Sequence, residues 1–321
     1  MKNNILKFDF NYVVSTLPEY VNQTSFDWVL RTILADPTMN YISVETDVFS
    51  SKDIHIMDST PTIVAGDGGF SASGNVELTK VNLATVALKS QMTYDQYLLQ
   101  SKFTQLALAP TALINQIPFE EALMEQLQRQ NTKVINSQLW LSNTSLGSGN
   151  LSYFDGLIDQ LGATGTRVTA ATGSANWTKA NIIASIQTMY AALNPDILSD
   201  ELVCFIEPAY YNILCEALFS GNYFHFNSDI TTSGEFIFPG TTLRIIRTAG
   251  LEGSTSSASA VGGAPCVVMG NPKYLYAGTV TREDFANISM WYSQDFDQLR
   301  SNFRYRLGAA VVFANYFVCS F

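Results

Sequence analysis

The segment Gly66–Gly74, GDGGFSASG, has the glycine density of a loop that could wrap a phosphate with backbone amides. A phosphate loop of that kind continues into Lys-Ser/Thr and opens a helix directly after a strand, and neither feature follows here. The remaining reading is a flexible loop tip. His55 and His225 could bind a metal or carry protons near neutrality. Each lies among apolar residues, Ile54 and Ile56 for one and Phe224 and Phe226 for the other, with no second histidine at ligand spacing. Packing histidines are expected, with no metal site and no cofactor. Asp155, Asp159, Glu207 and Glu216 would make an acid/base pair only in a fold that brings two of them together; solvated or capping carboxylates are the simpler expectation. No Gly-x-Ser-x-Gly elbow occurs, and no serine has an evident histidine partner. Cys204, Cys215, Cys266 and Cys319 form no CxxC pair and sit beside residues such as Val203, Phe205, Val267 and Val318, which indicates buried free thiols. No catalytic set emerges, and the chain is not expected to be an enzyme.

The one basic cluster is Arg300, Arg304 and Arg306. Two readings stand side by side: ion pairing on a strand surface with Glu283, Asp284, Asp295 and Asp297, or a contact between subunits, where guanidinium forks favour fixed carboxylate partners. Direct DNA binding is the weakest reading, because three arginines on a chain of net charge −10 neutralise few phosphates.

The composition narrows the class. In 321 residues only 14% are charged while 47% are hydrophobic, so much surface is expected to be buried against other chains. The acidic balance, 28 acidic against 18 basic residues, argues against tight gripping of nucleic acid but suits a container that holds DNA without sticking to it. The N-terminus lacks the apolar core of a signal peptide and no run approaches the roughly 20 apolar residues of a membrane span. A soluble protein made in a cytoplasm is expected, with no membrane partner.

The elements that would position these residues are centred on 116–142, QIPFEEALMEQLQRQNTKVINSQLWLS. Pro118 suits a first helical position, and Glu120 and Glu121 suit the positive end of the helix dipole. Gln130, Asn131 and Gln138 interrupt its apolar stripe, so the middle of a helix some 35–40 Å long is expected to be half buried, like a strut between neighbours. Before it, residues 1–40 read as an arm carrying one short helix capped by Ser25. Residues 41–58 and 75–92 read as a long hairpin around the Gly/Ser-rich tip, too small to be stable alone and therefore expected to lie on a neighbouring subunit. A connecting helix is expected near 94–108. After the turn Leu146–Gly149, a helix from Trp177 to Leu193, a strand Leu202–Ile206, a helix opened by Pro208 and strands at Thr242–Arg247 and Cys266–Met269 make a compact α/β module, roughly 151–283. Long strands follow around 288–292 and 302–307, where Phe303, Tyr305 and Leu307 face one way and Asn302, Arg304 and Arg306 the other. An apolar strand, Ala309–Val318, closes the chain.

This order resembles the Hong Kong 97-like major capsid protein of tailed bacteriophages, a fold shared with encapsulins. FEEALMEQLQRQ looks like the family's spine helix, IFPGTTLRIIRTAGL with VVMGNPKYLYAG like late strands of its apical domain, and DFDQLRSNFRYRLGAAVVFANYFV like its closing segment. The resemblance implies an α+β fold: an N-arm (1–40), an extended E-loop (41–93), and a P-domain (94–150, spine helix 116–142) completed by long strands (284–309). It also implies an A-domain (151–283) and a terminal strand (310–321). It further implies a non-enzymatic structural subunit that self-assembles as pentamers and hexamers into an icosahedral virion shell around double-stranded DNA, assembled in the bacterial cytoplasm. Scaffolding, portal and decoration proteins are the further partners the family admits, and with Met1 leading straight into the arm, any scaffold is expected to be a separate protein. Lys52 and Lys80 lie where some members crosslink, but no partner asparagine is evident; together with Arg300, Arg304 and Arg306 they are the candidate inter-subunit contacts. The alternatives are an encapsulin-like compartment shell, or a soluble α/β ligand-binding or hydrolase domain.

Overall fold

A computed structural model describes residues 32–33, 37–60, 75–95, 119–167, 177–221, 235–238, 240–252, 266–280, 287–296 and 298–320. In chain order the elements are β1 (Ser43–Glu45), β2 (Ser51–Thr60), β3 (Asn75–Ala84), β4 (Val86–Asp95), α1 (Phe119–Leu141), α2 (Leu157–Thr164), β5 (Thr166–Arg167), α3 (Ile182–Ala191), β6 (Val203–Ile206), α4 (Pro208–Ser220), β7 (Glu235–Ile237), β8 (Arg244–Arg247), β9 (Val267–Gly270), β10 (Leu275–Thr279), β11 (Asn287–Ser293), β12 (Gln298–Val311) and β13 (Val318–Ser320). They form three sheets: a long-strand sheet of β1, β10, β12, β11 and β4, a six-stranded sheet ordered β5-β13-β9-β6-β8-β7, and the separate ribbon β2–β3. The result is a mixed α+β fold.

The six-stranded sheet is covered on both faces, and its strands read as short unbroken apolar runs for that reason. In β6, Val203 and Phe205 join the core shared with α1 and α2, whereas Cys204 and Ile206 join the core under α3 and α4. Pro208 opens α4 at a position where its missing N–H costs nothing. The Trp177–Leu193 helix is shorter than expected: α3 starts at Ile182, because Asn181 folds back to accept a hydrogen bond from the Thr178 N–H at 2.6 Å. Asn176, the expected cap, lies outside the described residues.

In the long-strand sheet β12 is the spine. β10 and then β11 pair antiparallel along one edge, β4 along the other, so that Leu307 faces both Thr279 and Val86. Odd-numbered residues of β12, including Phe303, Tyr305 and Leu307, are buried toward α1; Arg304 and Arg306 lie on the other face, as their alternation requires. The expected apolar strand Ala309–Val318 is instead broken. Phe313 adopts a left-handed conformation (φ 53°) and stacks edge-on with Tyr274 at 5.3 Å, and the chain turns there so that β12 ends in one sheet and β13 begins in the other. β10 also pairs in the long-strand sheet, although it lies within 151–283 in sequence.

The two stretches expected to form one hairpin each contain two strands. Thr85, buried between β3 and β4, donates its hydroxyl to the Val48 carbonyl (2.7 Å) and its N–H to the Ser50 carbonyl (2.8 Å). These bonds close the base of the ribbon and let β1 and β4 pass into the long-strand sheet. Tyr94 and Asp95, expected to open a helix, end β4; the rest of 96–108 and the arm through residue 31 lie outside the described residues.

The base of the ribbon rests on the long-strand sheet where β12 has no side chain. A Cβ at Gly308 would lie 2.0 Å from the Ala84 carbonyl oxygen, and Leu83, fully buried, packs there with Ala310 and Val48. Gly308→Ala therefore forces ribbon and sheet apart and should lower unfolding stability by about 1–3 kcal/mol. Gly278→Ala, whose nearest neighbours are the movable side chains of Thr85 and Leu83 at 2.9–3.2 Å, should cost less. Chemical denaturation of both variants checks the order.

Candidate assembly surfaces

Away from its base the β2–β3 ribbon has little to lie on. Antiparallel pairing sets Met57 opposite Leu78, and these are 70% and 74% exposed, more than any other large hydrophobic residue among those described. Glu77, Leu78, Thr79 and Lys80 are exposed in succession, so both faces of β3 are open there. A two-stranded ribbon is at best marginally stable in water. Beyond the Lys52–Glu45 pair near its base, its described polar support is one cluster, in which Asp53 accepts from Lys80 (2.8 Å) and from Asn82 (2.8 Å). Those bonds, Lys80's first, hold the Asp53 carboxyl below the usual range, and the same pair raises Lys80. His55, expected to be a packing residue, is exposed on this ribbon opposite Lys80, because alternation turns it away from the face that carries the half-buried Ile54 and the buried Ile56. His225 lies outside the described residues.

The two candidate lysines are tied within the chain, Lys52 to Glu45 at 2.6 Å and Lys80 to Asp53. The three arginines share one face of β12 but differ in partners. Arg300 sits over the Phe296 ring at 4.6 Å and Arg306 over the Phe49 ring at 4.5 Å, where it also donates to the Phe49 carbonyl. Arg304 is exposed and has no ion-pair partner among the described residues. No described ion pair joins any of them to the expected acidic run, of which Glu283, Asp284 and Asp297 lie outside the description. Lys89, absent from the sequence-based candidates, completes this basic face, since the register of β4 sets it directly opposite Arg304. Only the pairing of β4 with β12 reveals it. Met57 and Leu78 were legible in principle, as apolar residues within the stretches 41–58 and 75–92 read as a hairpin too small to be stable alone.

The buried face of the same sheet is locked to α1. Gln138 and Asn131 break the helix's apolar pattern, yet the helix is not half buried at these positions: Gln138 is 3% exposed and Asn131 8%. Gln138 accepts a hydrogen bond from the Tyr305 hydroxyl at 2.7 Å and donates to the Asn150 carbonyl at 2.7 Å, which is why a polar residue is tolerated there. Burial pushes the Tyr305 phenol up to about 12, so the donor stays protonated across the physiological range. Two residues on from Gln138, and so on the opposite side of the helix, Trp140 packs on Phe205 of the other sheet with ring centroids 5.0 Å apart. Gly250 allows the turn Ala249–Leu251 to reach the helix, for a Cβ there would meet Trp140 Cδ1 at 2.5 Å.

The remaining chemistry-bearing residues are otherwise occupied. Asp155 accepts from the Thr144 N–H and hydroxyl, and Asp159 from Asn143 at 2.5 Å; both hold the connection between α1 and α2. Burial, then the charge of Asp155, raises the Asp159 carboxyl. Glu216 pairs with Lys179 at 2.9 Å. Cys204 is fully buried, its thiol pushed up to about 12, and Cys266 and Cys319 are buried as well. Among the described residues no group of three metal-ligating side chains gathers, and no helix is long and apolar enough to cross a membrane.

No family model and no curated protein matches the sequence. Solved structures do. The chain is similar to chains from the structure of Gordonia phage Cozz (11% identity, 88% and 85% of the two chains covered, TM-score 0.59) and from the capsid of the native GTA particle (10%, 90% and 89%, 0.56). It is also similar to a chain from the capsid of Myoviridae phage XM1 (13%, 87% and 88%, 0.52). The likeness runs over nearly the whole of each chain, and the fold is that of these phage capsid chains.

The Gln138–Tyr305 bond gives a direct test of how sheet and helix are held. Tyr305→Phe leaves the buried Gln138 oxygen without a donor and should cost about 1–3 kcal/mol in denaturant unfolding. Gln138→Leu with Tyr305→Phe should cost less than the sum of the two single changes, as a double-mutant cycle measures.

Proposed function

We propose that this chain is a major capsid protein, self-assembling into the icosahedral head of a tailed bacteriophage and enclosing its double-stranded DNA. The observation that carries the reading is the ribbon that exposes Met57 and Leu78 on a fold shared with phage capsid chains. Fully burying a side chain of that size is worth about 1.5–3 kcal/mol, a gain this ribbon would draw from the surface of a second copy. On this reading residues 1–40 are the arm, the β2–β3 ribbon the extended E-loop, α1 with the long strands the P-domain, and the six-stranded sheet with its helices the A-domain. Its protein partner is first of all itself, in pentamers and hexamers, with scaffolding, portal and decoration proteins as further partners. The DNA is contained without sequence-specific contacts, the place of action is the virion after assembly in the host cytoplasm, and the role is structural, not enzymatic.

The purified full-length chain, examined by sedimentation velocity and negative-stain electron microscopy in assembly-promoting salt with and without candidate scaffold, should give shells, tubes, pentamers or hexamers. A monomer under all these conditions refutes the proposal, and closed shells that load a cargo enzyme and no DNA assign the fold to a compartment instead. Met57→Asp with Leu78→Asp should leave the monomer's circular dichroism unchanged and shift half-assembly to at least tenfold higher subunit concentration.

A further inference from the structure

β4 forms one side of the long-strand sheet. It pairs with β12 over its whole length, from Val86 opposite Leu307 to Asp95 opposite Gln298, without a bulge. No other described strand, and no described backbone hydrogen bond, reaches its far side. A long, regular, unpaired edge is a template for another strand, and folded chains ordinarily blunt one with proline, a bulge or several charges. The strand reads VALKSQMTYD: it has no proline, and Lys89 is its only charged residue before the terminal Asp95.

Alternation divides its side chains between two faces. Ala87, Lys89, Gln91 and Thr93 are exposed on the face of Arg304, whereas Val86, Leu88, Ser90, Met92 and Tyr94 lie on the face toward α1. Of the second set only Leu88 is buried. Val86, Met92 and Tyr94 pack against the main core and yet stay half exposed, at the side where no described strand stands beside them.

The same strand of a second copy fits this edge. A two-fold axis perpendicular to the sheet sets each residue opposite one of the same parity, so both faces continue across the junction. With the axis at Ser90, Leu88 meets Met92 and Val86 meets Tyr94 on the α1 face, while Lys89 meets Gln91 and Ala87 meets Thr93 on the other. An axis at Lys89 would oppose two lysines, and one at Gln91 would set Met92 against Ser90. Of the three registers, the one at Ser90 joins apolar to apolar and sets no charge against its like.

We infer that β4 is the docking edge for β4 of a second copy of this chain, antiparallel about a two-fold axis at Ser90, so that two five-stranded sheets merge into one. The inference stands on the open edge and goes beyond the capsid reading, which leaves a two-fold contact unspecified.

The test is made on the full-length chain. Directly opposed residues of an antiparallel pair have Cα atoms about 4.5–5.5 Å apart, within disulfide reach. Ser90→Cys, oxidised with copper–phenanthroline, should therefore give at least tenfold more covalent dimer than wild type or than Ser148→Cys, which carries its thiol in an exposed turn. Gln91→Lys opposes lysines at both Lys89 contacts and should weaken pairing roughly threefold to tenfold in sedimentation velocity, with circular dichroism unchanged; Gln91→Glu should strengthen it by a similar factor. The outward amides of β4 should exchange freely at low subunit concentration and slow as pairs form. If those amides are protected at the lowest concentration and Ser90→Cys does not crosslink, a segment of the same chain covers the edge and the inference is overturned. Shells that form with no Ser90→Cys crosslink, and with equal assembly of both Gln91 variants, overturn it and leave the capsid reading standing. Crosslinked pairs that never grow into larger assemblies keep it and refute the capsid reading.

Discussion

The last turns of α1 are wedged between two sheets, and the placement of every other layer depends on that wedge. On one side Gln138 is hydrogen-bonded to Tyr305 of β12; on the other Trp140 lies against Phe205 of β6. Ile135 and Leu139, both fully buried, fill the space between, so a single apolar core runs from the long strands into the six-stranded sheet. A buried amide left without partners would cost more than the helix gains from one bond, so the Gln138 contacts specify the helix's rotation as well as its position. Shift the helix by one residue and Gln138 leaves Tyr305 while an apolar contact opens on the far side.

Against that fixed frame the ribbon is under-supported. Its base is seated on Gly308 and closed by Thr85, but its outer half carries exposed apolar side chains beside the exposed Glu77. An element of this kind contributes little to the stability of a lone subunit. Its exposed apolar side chains, Met57 and Leu78 above all, gain no burial energy there. The glycines under the base matter as much as the residues at the end, because they determine the face from which the ribbon departs.

The groups that could suggest chemistry are used in building the fold. Asp155 and Asp159 tie down the α1–α2 connection, Cys204 lies in the middle of a sheet, and Glu216 of α4 closes an ion pair with Lys179. Arg300 and Arg306 are stacked on aromatic rings and so held flat against the sheet, while Lys89 and Arg304 are left projecting.

The sequence by itself determined whatever local periodicity and chain punctuation encode: the helical pattern that became α1, the proline that opens α4, the unbroken apolar runs of β6 and β9, and the alternation that puts Phe303, Tyr305 and Leu307 on one face of β12. Each of these depends on neighbours within a few residues. Tertiary structure alone decided what depends on distant partners. The β4–β12 pairing sets Lys89 beside Arg304, 215 positions away in the chain, and no local pattern marks that meeting. Gln138 looks like a flaw in an apolar stripe until Tyr305, 167 residues on, supplies its hydrogen bond. The breaks at Thr85 and Phe313 follow the same rule: short-range pattern favours a continuous strand, and long-range hydrogen bonding and aromatic packing divide it between two sheets.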